Sequence, residues 1–326
     1  MLIAEELEVG LDQITAEHAP PNNALYADPF LGEQATGGST STRAGWKPLR
    51  QAGAAARIML VQAAAEKWHV DPATCTAEHG VVHHTPSGRS LSYGKLASAA
   101  GLLPVPKDVT LKPASAFKLI GTPAKRIDTP AKVNGSLRFG IDVQVPGMKI
   151  GTVAASPVLG GKLISIDEAA ARAILGVRDV VKLDNAVAVI GDHMWAAICG
   201  LKAAAPKWDD GPNAGLSSAS IVQSLAAASD ADGVEAHASG NAKAAIASVT
   251  KRLDAVYQLP FLSHAPMEPI NTTLHVRPDG ADVWLGTQVP PRTQAVVARI
   301  TGLRPDQVTV HNHYIGRRVR PPARCR

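Results

Sequence analysis

The sequence predicts an α+β fold built from three successive units, and three observations predict it. A Gly/Ser/Thr loop at 35–42 runs straight into a long segment with helical spacing. Between about 120 and 210, short strand-like and helix-like segments alternate. From 253 onward, strand-like stretches flank one amphipathic helix.

The elements follow in order. LIAEELEVG near the start reads as an amphipathic helix carrying Glu5, Glu6 and Glu8, and LDQITAEHA then alternates like a strand. In RAGWKPLRQAGAAARIMLVQAAAEKW, Trp46, Leu49, Gly53, Ala56 and Leu60 keep helical spacing, and Asp71 with Pro72 stops the helix. Gly53 weakens that helix, but on a buried face it permits close packing. CTAEHGVVHH and RSLSYG flank a TPSG turn as a hairpin, and KLASAAG is a short helix. After the proline-punctuated linker PVPKDVTLKPASAF comes a compact α/β unit that starts around residue 120 and runs from DTPAKVNGSLRFGIDVQVPGM and KIGTVAASPV to HMWAAICGLKAAAPKW. The polar, weakly helical stretch from Asp209 to Val249 reads as a connecting arm. RLDAVYQLP, TTLHVRP and ADVWLGTQ read as strands, PRTQAVVARITGL as a helix and QVTVHNHYI as a last strand.

Composition excludes several classes of function. The formal net charge is +5, and Arg317, Arg318, Arg320, Arg324 and Arg326 supply that excess. The remaining body is nearly neutral, which argues against nucleic acid as a partner. Cys75, Cys199 and Cys325 are far apart, and no CxxC pair encodes an iron–sulfur or structural zinc site. No signal peptide is apparent, and no apolar run approaches the roughly 18 residues that span a bilayer.

Three groups of residues could carry chemistry. His311 and His313 are two apart on a strand, hence on one face, with His264 and His275 nearby in sequence. These are either metal ligands or hydrogen-bonded strand histidines. In TGGSTST, two glycines let a backbone approach a ligand, and hydroxyls with exposed N–H groups suit a phosphate or pterin; the bland alternative is an ordinary helix entry. In HAPMEPIN (264–271) and WLGTQVPPRTQ (284–294), Glu268 is either functional or tied to backbone amides, and Gln288 either functional or a helix cap.

The segments TGGSTSTRAGWKPLRQAGAAAR, DTPAKVNGSLRFGIDVQVPGM, DDGPNAGLSS, LPFLSHAPMEPINTTLHV and WLGTQVPPRTQAVVARITGL stand in one order. Together they resemble the molybdopterin-binding large subunit of the xanthine dehydrogenase/aldehyde oxidase family. The nearest branch is the isoquinoline 1-oxidoreductase beta-subunit type, which includes membrane-bound aldehyde dehydrogenase large subunits. The resemblance implies a permuted piece of a molybdenum-binding domain at 1–118 and a hammerhead α/β domain at 119–210. A linker arm at 211–252 and the start of another molybdenum-binding domain at 253–316 follow. It implies a molybdenum–molybdopterin cytosine dinucleotide cofactor, contacted by Gly37, Gly38, Ser39, Thr40 and Ser41 at the pterin phosphate end. Gln288 would face an oxo group on the metal. His264 and Glu268 match a motif near the active site without an assigned role, and no protein side chain would ligate the metal.

The implied activity is oxidation of N-heterocycles or aldehydes with water as oxygen source, in partnership with a small [2Fe-2S] subunit and a cytochrome c subunit. Relatives of this kind are often periplasmic or membrane-associated, and otherwise cytoplasmic. The alternative is a non-catalytic binding module on the hammerhead fold. In the family the last strand leads into Gly-Gly-Gly-Phe-Gly-Arg-Arg. With a suitable choice of codons, a single-nucleotide shift after Ile315 turns GRRVRPPA into that motif. Residues 317–326 are therefore expected to be a frameshifted, disordered tail. The chain is expected to be an inactive internal fragment that does not retain the cofactor, its catalytic glutamate lying outside it.

Overall fold

The computed structural model describes residues 1–263 and 265–316. His264 and the tail expectation for 317–326 lie outside the described residues. The chain divides into two compact units, one of residues 1–143 with 266 onward and one of residues 144–265. Residues 119–143, which the sequence groups with the α/β domain, thus pack in the first unit.

The first unit begins with α1 (Leu2–Leu7), α2 (Asn23–Tyr26) and the long α3 (Ser41–Trp68), which ends at His69 in the left-handed region. Strands β1 (Cys75–Glu78), β2 (Val81–His84) and β3 (Arg89–Ser92) form an antiparallel meander, followed by α4 (Tyr93–Ala100) and α5 (Thr129–Val133). CTAEHGVVHH thus holds a turn of its own. His79 and Gly80 have φ of 48° and 77°, the sign a two-residue hairpin turn needs at both positions. Leu60, Ala63, Ala64, Val82, Leu96 and Ala100 form the core beneath α3.

One expectation fails here. LDQITAEHA forms no strand: Leu11–Gln13 is a 3-10 turn, and the residues after it pair with no neighbouring strand. Alternation supplies a face but not a hydrogen-bonding partner. Helix α1 buries two carboxylates, Glu5 and Glu6, which are 1% and 0% exposed. Glu6 accepts from Arg50 Nε (2.8 Å) and Glu5 from the backbone N–H groups of Leu119 (2.7 Å) and Ile120 (2.9 Å). Buried carboxylates survive only with such partners.

The second unit contains β4 (Ile150–Ala155), β5 (Lys162–Ser165), α6 (Glu168–Arg172), β6 (Val177–Leu183), β7 (Ala186–Gly191), α7 (Met194–Ala204) and β8 (Lys207–Asp209). An antiparallel sheet of order β4-β7-β6 and a β5–β8 pair enclose Ala171, Val180, Val187, Val189 and Ala204. Gly200 in α7 is needed there, because a Cβ would lie 2.7 Å from Val177 Cγ2 and 2.8 Å from Val189 Cγ1. Helices α8 (Ser218–Ser229) and α9 (Ala242–Ser248) follow and hold no buried residue. RLDAVYQLP is not a strand; its Leu253 and Val256 are 94% and 97% exposed, with no strand beside them.

The first unit resumes with β9 (Thr273–Arg277), β10 (Gly280–Leu285), α10 (Pro290–Thr301) and β11 (Val308–Asn312). Strand β10 lies in the middle, antiparallel to β9 and parallel to β11, and α10 makes the crossover a parallel pair requires. Ala281, Val283, Ala298 and Val308 fill the space between helix and sheet. No helix among the described residues is long and apolar enough to cross a membrane.

Candidate functional site

Two clusters form within the first unit where the parallel strands β10 and β11 end. Ligands of open α/β sheets gather at such carboxyl ends. Gly286 leaves β10 so close to the chain after β11 that a Cβ would lie 3.2 Å from Tyr314 O and 3.0 Å from Ile315 Cγ1. The Asn312 carboxamide ties the two ends, accepting from Thr287 N–H (3.0 Å) and donating to Thr287 O (3.2 Å).

From this point Gln288 reaches the Gly/Ser/Thr loop, 252 positions away in sequence. Its Nε2 donates to Thr36 O (2.5 Å), and Thr36 N–H donates to Gln288 O (2.9 Å). Arg292 in α10 pairs with Glu33 just before the loop. Within the loop, Gly38 and Ser39 have φ of 58° and 56°, and Thr40 returns to the right-handed region as the N-cap of α3. Gly38, Ser39 and Ser41 are exposed, whereas Thr40 is buried. The Thr40 hydroxyl donates to Asp28 Oδ2 (2.5 Å), so it fixes the loop and is not free for a ligand. Asp28 and Asn312 carried no sequence signal of their own, since each acts through a partner 12 or more positions away.

Glu268 belongs to the second cluster. Its Oε1 accepts from Ile141 N–H (3.2 Å) and Asn271 Nδ2 (2.9 Å), and its Oε2 from Gly316 N–H (2.7 Å). Glu268 N–H donates to Gly316 O (3.1 Å), and Phe139 bridges in parallel to Tyr314. Of the two readings open to Glu268, the structure therefore shows the tie to backbone amides. Asn271 Oδ1 is buried without a hydrogen-bond partner. Gln288 is not the cap of α10, whose N-cap residue is Val289.

The histidines separate. His311 Nε2 pairs with Asp282 Oδ1 (2.7 Å), and its ring stacks on Trp284 at 4.8 Å. That contact, helped by Arg277 and opposed by burial, holds the Asp282 carboxyl below the usual range. His275 contacts Arg277, and His313 lies beyond β11 with its backbone N–H on Leu285 O. Among the described residues no three His, Cys, Asp or Glu converge as metal ligands. His18, Trp284, His311, Asn312, His313 and Tyr314 line an open cleft of about 500 Å³.

The loop residues are open to a phosphate-bearing group. The loop presents exposed hydroxyls and backbone in turn conformation, and no Cβ would crowd Gly37 closer than 3.8 Å. The Gln288 carboxamide keeps a second N–H beyond the one given to Thr36.

Residues 228–317 match the family profile of the molybdopterin cofactor-binding domain. The chain is similar to the beta subunit of isoquinoline 1-oxidoreductase from Brevundimonas diminuta, 32% identical over 98% of this chain and 47% of that protein. It is 27% identical to the membrane-bound aldehyde dehydrogenase [pyrroloquinoline-quinone] of Gluconacetobacter polyoxogenes, over 97% of this chain and 42% of the relative. One subunit of the nicotinate dehydrogenase of Pseudomonas putida is 27% identical over 91% of the chain and 25% of its own length. The chain spans about half the length or less of these curated relatives.

Proposed function

The chain belongs to the molybdopterin-binding large subunits of the molybdenum hydroxylase family, and on that premise we propose that it supplies one face of the cofactor site of an oxidoreductase acting on N-heterocycles or aldehydes. The observation that carries this reading is the pairing of Gln288 with Thr36, which joins two motifs of cofactor-contacting type from opposite ends of the sequence.

Each residue then has a task. The exposed backbone and hydroxyls at Gly38, Ser39 and Ser41 would hold the phosphate end of a molybdopterin cytosine dinucleotide, with Gly37 giving the clearance and Thr40 fixing the loop through Asp28. Gln288, through its second N–H, would hold the cofactor as a hydrogen-bond donor. Glu268, with both oxygens engaged, positions Gly316 and Ile141 and is not assigned as a proton acceptor. When bound, the cofactor would supply two-electron oxidation chemistry with water as oxygen source. A [2Fe-2S] subunit and a cytochrome c subunit would serve as electron-transfer partners, and residues 119–210 would correspond to the hammerhead domain.

Because Gly38, Ser39 and Ser41 are exposed, this chain contacts the cofactor from one side and holds it weakly. Purified from a host that makes the cofactor, it should carry far less than one molybdenum per chain. Metal and pterin analyses near one per chain would overturn the one-sided reading.

A further inference from the structure

Glu5 occupies a site that resembles a receptor for a small anion more than an ordinary ion pair. Both carboxylate oxygens are enclosed, and the residue is 1% exposed. Lys118 N–H donates to Oε1 (3.0 Å) and Oε2 (3.1 Å), Leu119 N–H to Oε2 (2.7 Å) and Ile120 N–H to Oε2 (2.9 Å). Lys112 Nζ completes the set at 2.9 Å from Oε1. Three successive N–H groups converging on one anion are the geometry of a backbone nest. A cavity of about 60 Å³ lies beside the carboxylate, lined by Glu8, Val9, His79, Lys112, Lys118 and Leu119.

We propose that residues 112–120 form an anion-binding loop whose resident ligand is the Glu5 carboxylate, and that a free carboxylate of the formate class binds there when residue 5 offers none. The split of donors between two oxygens favours a planar two-oxygen anion over a halide. In the native chain the tethered carboxylate has a high effective concentration, so free anions compete poorly. The loop is then held by a removable intramolecular ligand, and α1 is the element that delivers it.

The test is thermal unfolding of the full chain as wild type, Glu5→Ala and Glu5→Gln, in formate and in chloride at equal ionic strength. Formate should raise the Tm of Glu5→Ala by about 3 °C over chloride and leave the wild type unmoved. Glu5→Gln fills the space with a neutral amide and should respond alike to both salts. If Glu5→Ala is unfolded in chloride, formate should restore its helical circular dichroism. Absence of a formate-specific gain in Glu5→Ala, by either readout, overturns the proposal. An equal gain in the wild type or in Glu5→Gln does so as well.

Discussion

Replacing Gly53 by alanine sets two effects of opposite sign against each other. Gly53 lies in the interior of α3, where alanine is the better helix former by about 1 kcal/mol. A Cβ there would lie 2.5 Å from Ile3 O and 3.1 Å from both Ile3 Cα and Glu6 Cβ. Non-bonded heavy atoms attract at about 3.5 Å or more, so α1 must retreat by roughly 1 Å. The atoms met first are backbone, which has no rotamer to yield. That retreat stretches the contact of Glu6 with Arg50 Nε (2.8 Å), which joins α1 to α3, past hydrogen-bonding range. Overpacking costs about 1–3 kcal/mol, and a buried pair that loses its partner costs about 3–5 kcal/mol. Partial loss of the pair, less the propensity gain, leaves a net destabilisation of about 2–4 kcal/mol. Urea denaturation followed by circular dichroism measures it. Gly94→Ala in α4 is the control: no atom lies within 4 Å of its Cβ position, so it should be neutral or stabilise by up to about 1 kcal/mol. A Gly53→Ala variant as stable as the wild type would refute the close-packing argument.

Two further outcomes follow from the structure. Burial pushes the Glu5 carboxyl up, but the N–H groups of Ile120 and Leu119, the Lys112 ammonium and Lys118 N–H outweigh it and bring it down to about 2 from 4.5. A depressed carboxyl stabilises the fold above its unfolded pKa, and that contribution disappears as pH falls from about 4.5 towards 2. The wild type should therefore lose about 3 kcal/mol relative to Glu5→Gln across that window, and parallel stability curves for the two proteins would count against the assignment. Residues 144–216, expressed alone, should unfold cooperatively by circular dichroism, since the core of Ala171, Val180, Val187, Val189 and Ala204 lies wholly inside that stretch; a non-cooperative trace would show that the core is insufficient.

Where structure depends on neighbours in sequence, the residues announce it. The helical spacing from Trp46 to Leu60, the TPSG turn and the strand–turn–strand run before Pro290 all form as read. LDQITAEHA and RLDAVYQLP have strand-like alternation but no strand to pair with, and pairing is a property of distant chain. The burial of Glu5 and Glu6 has no local sign, because their partners, Arg50 and residues 112–120, lie more than 40 positions away. The loop at 37–41 and Gln288 each stand out through residue type, yet their junction at Thr36 bridges 252 positions and has no local signature. Glu268 shows the same limit. The amides of Ile141 and Gly316 that its carboxylate accepts from lie 127 and 48 positions away, and neither contact is visible in HAPMEPIN.

The central claim is that the 37–41 loop and Gln288 form one cofactor-contacting surface, and titration of the chain with excess molybdopterin, followed by pterin fluorescence, tests it most directly. Wild type should bind saturably. Gly38→Val, which places a branched side chain at a φ of 58°, and Gln288→Ala, which removes the carboxamide, should each weaken binding by roughly fivefold or more, the worth of about one hydrogen bond. Absence of saturable binding by the wild type, or equal affinity in all three proteins, would contradict the account.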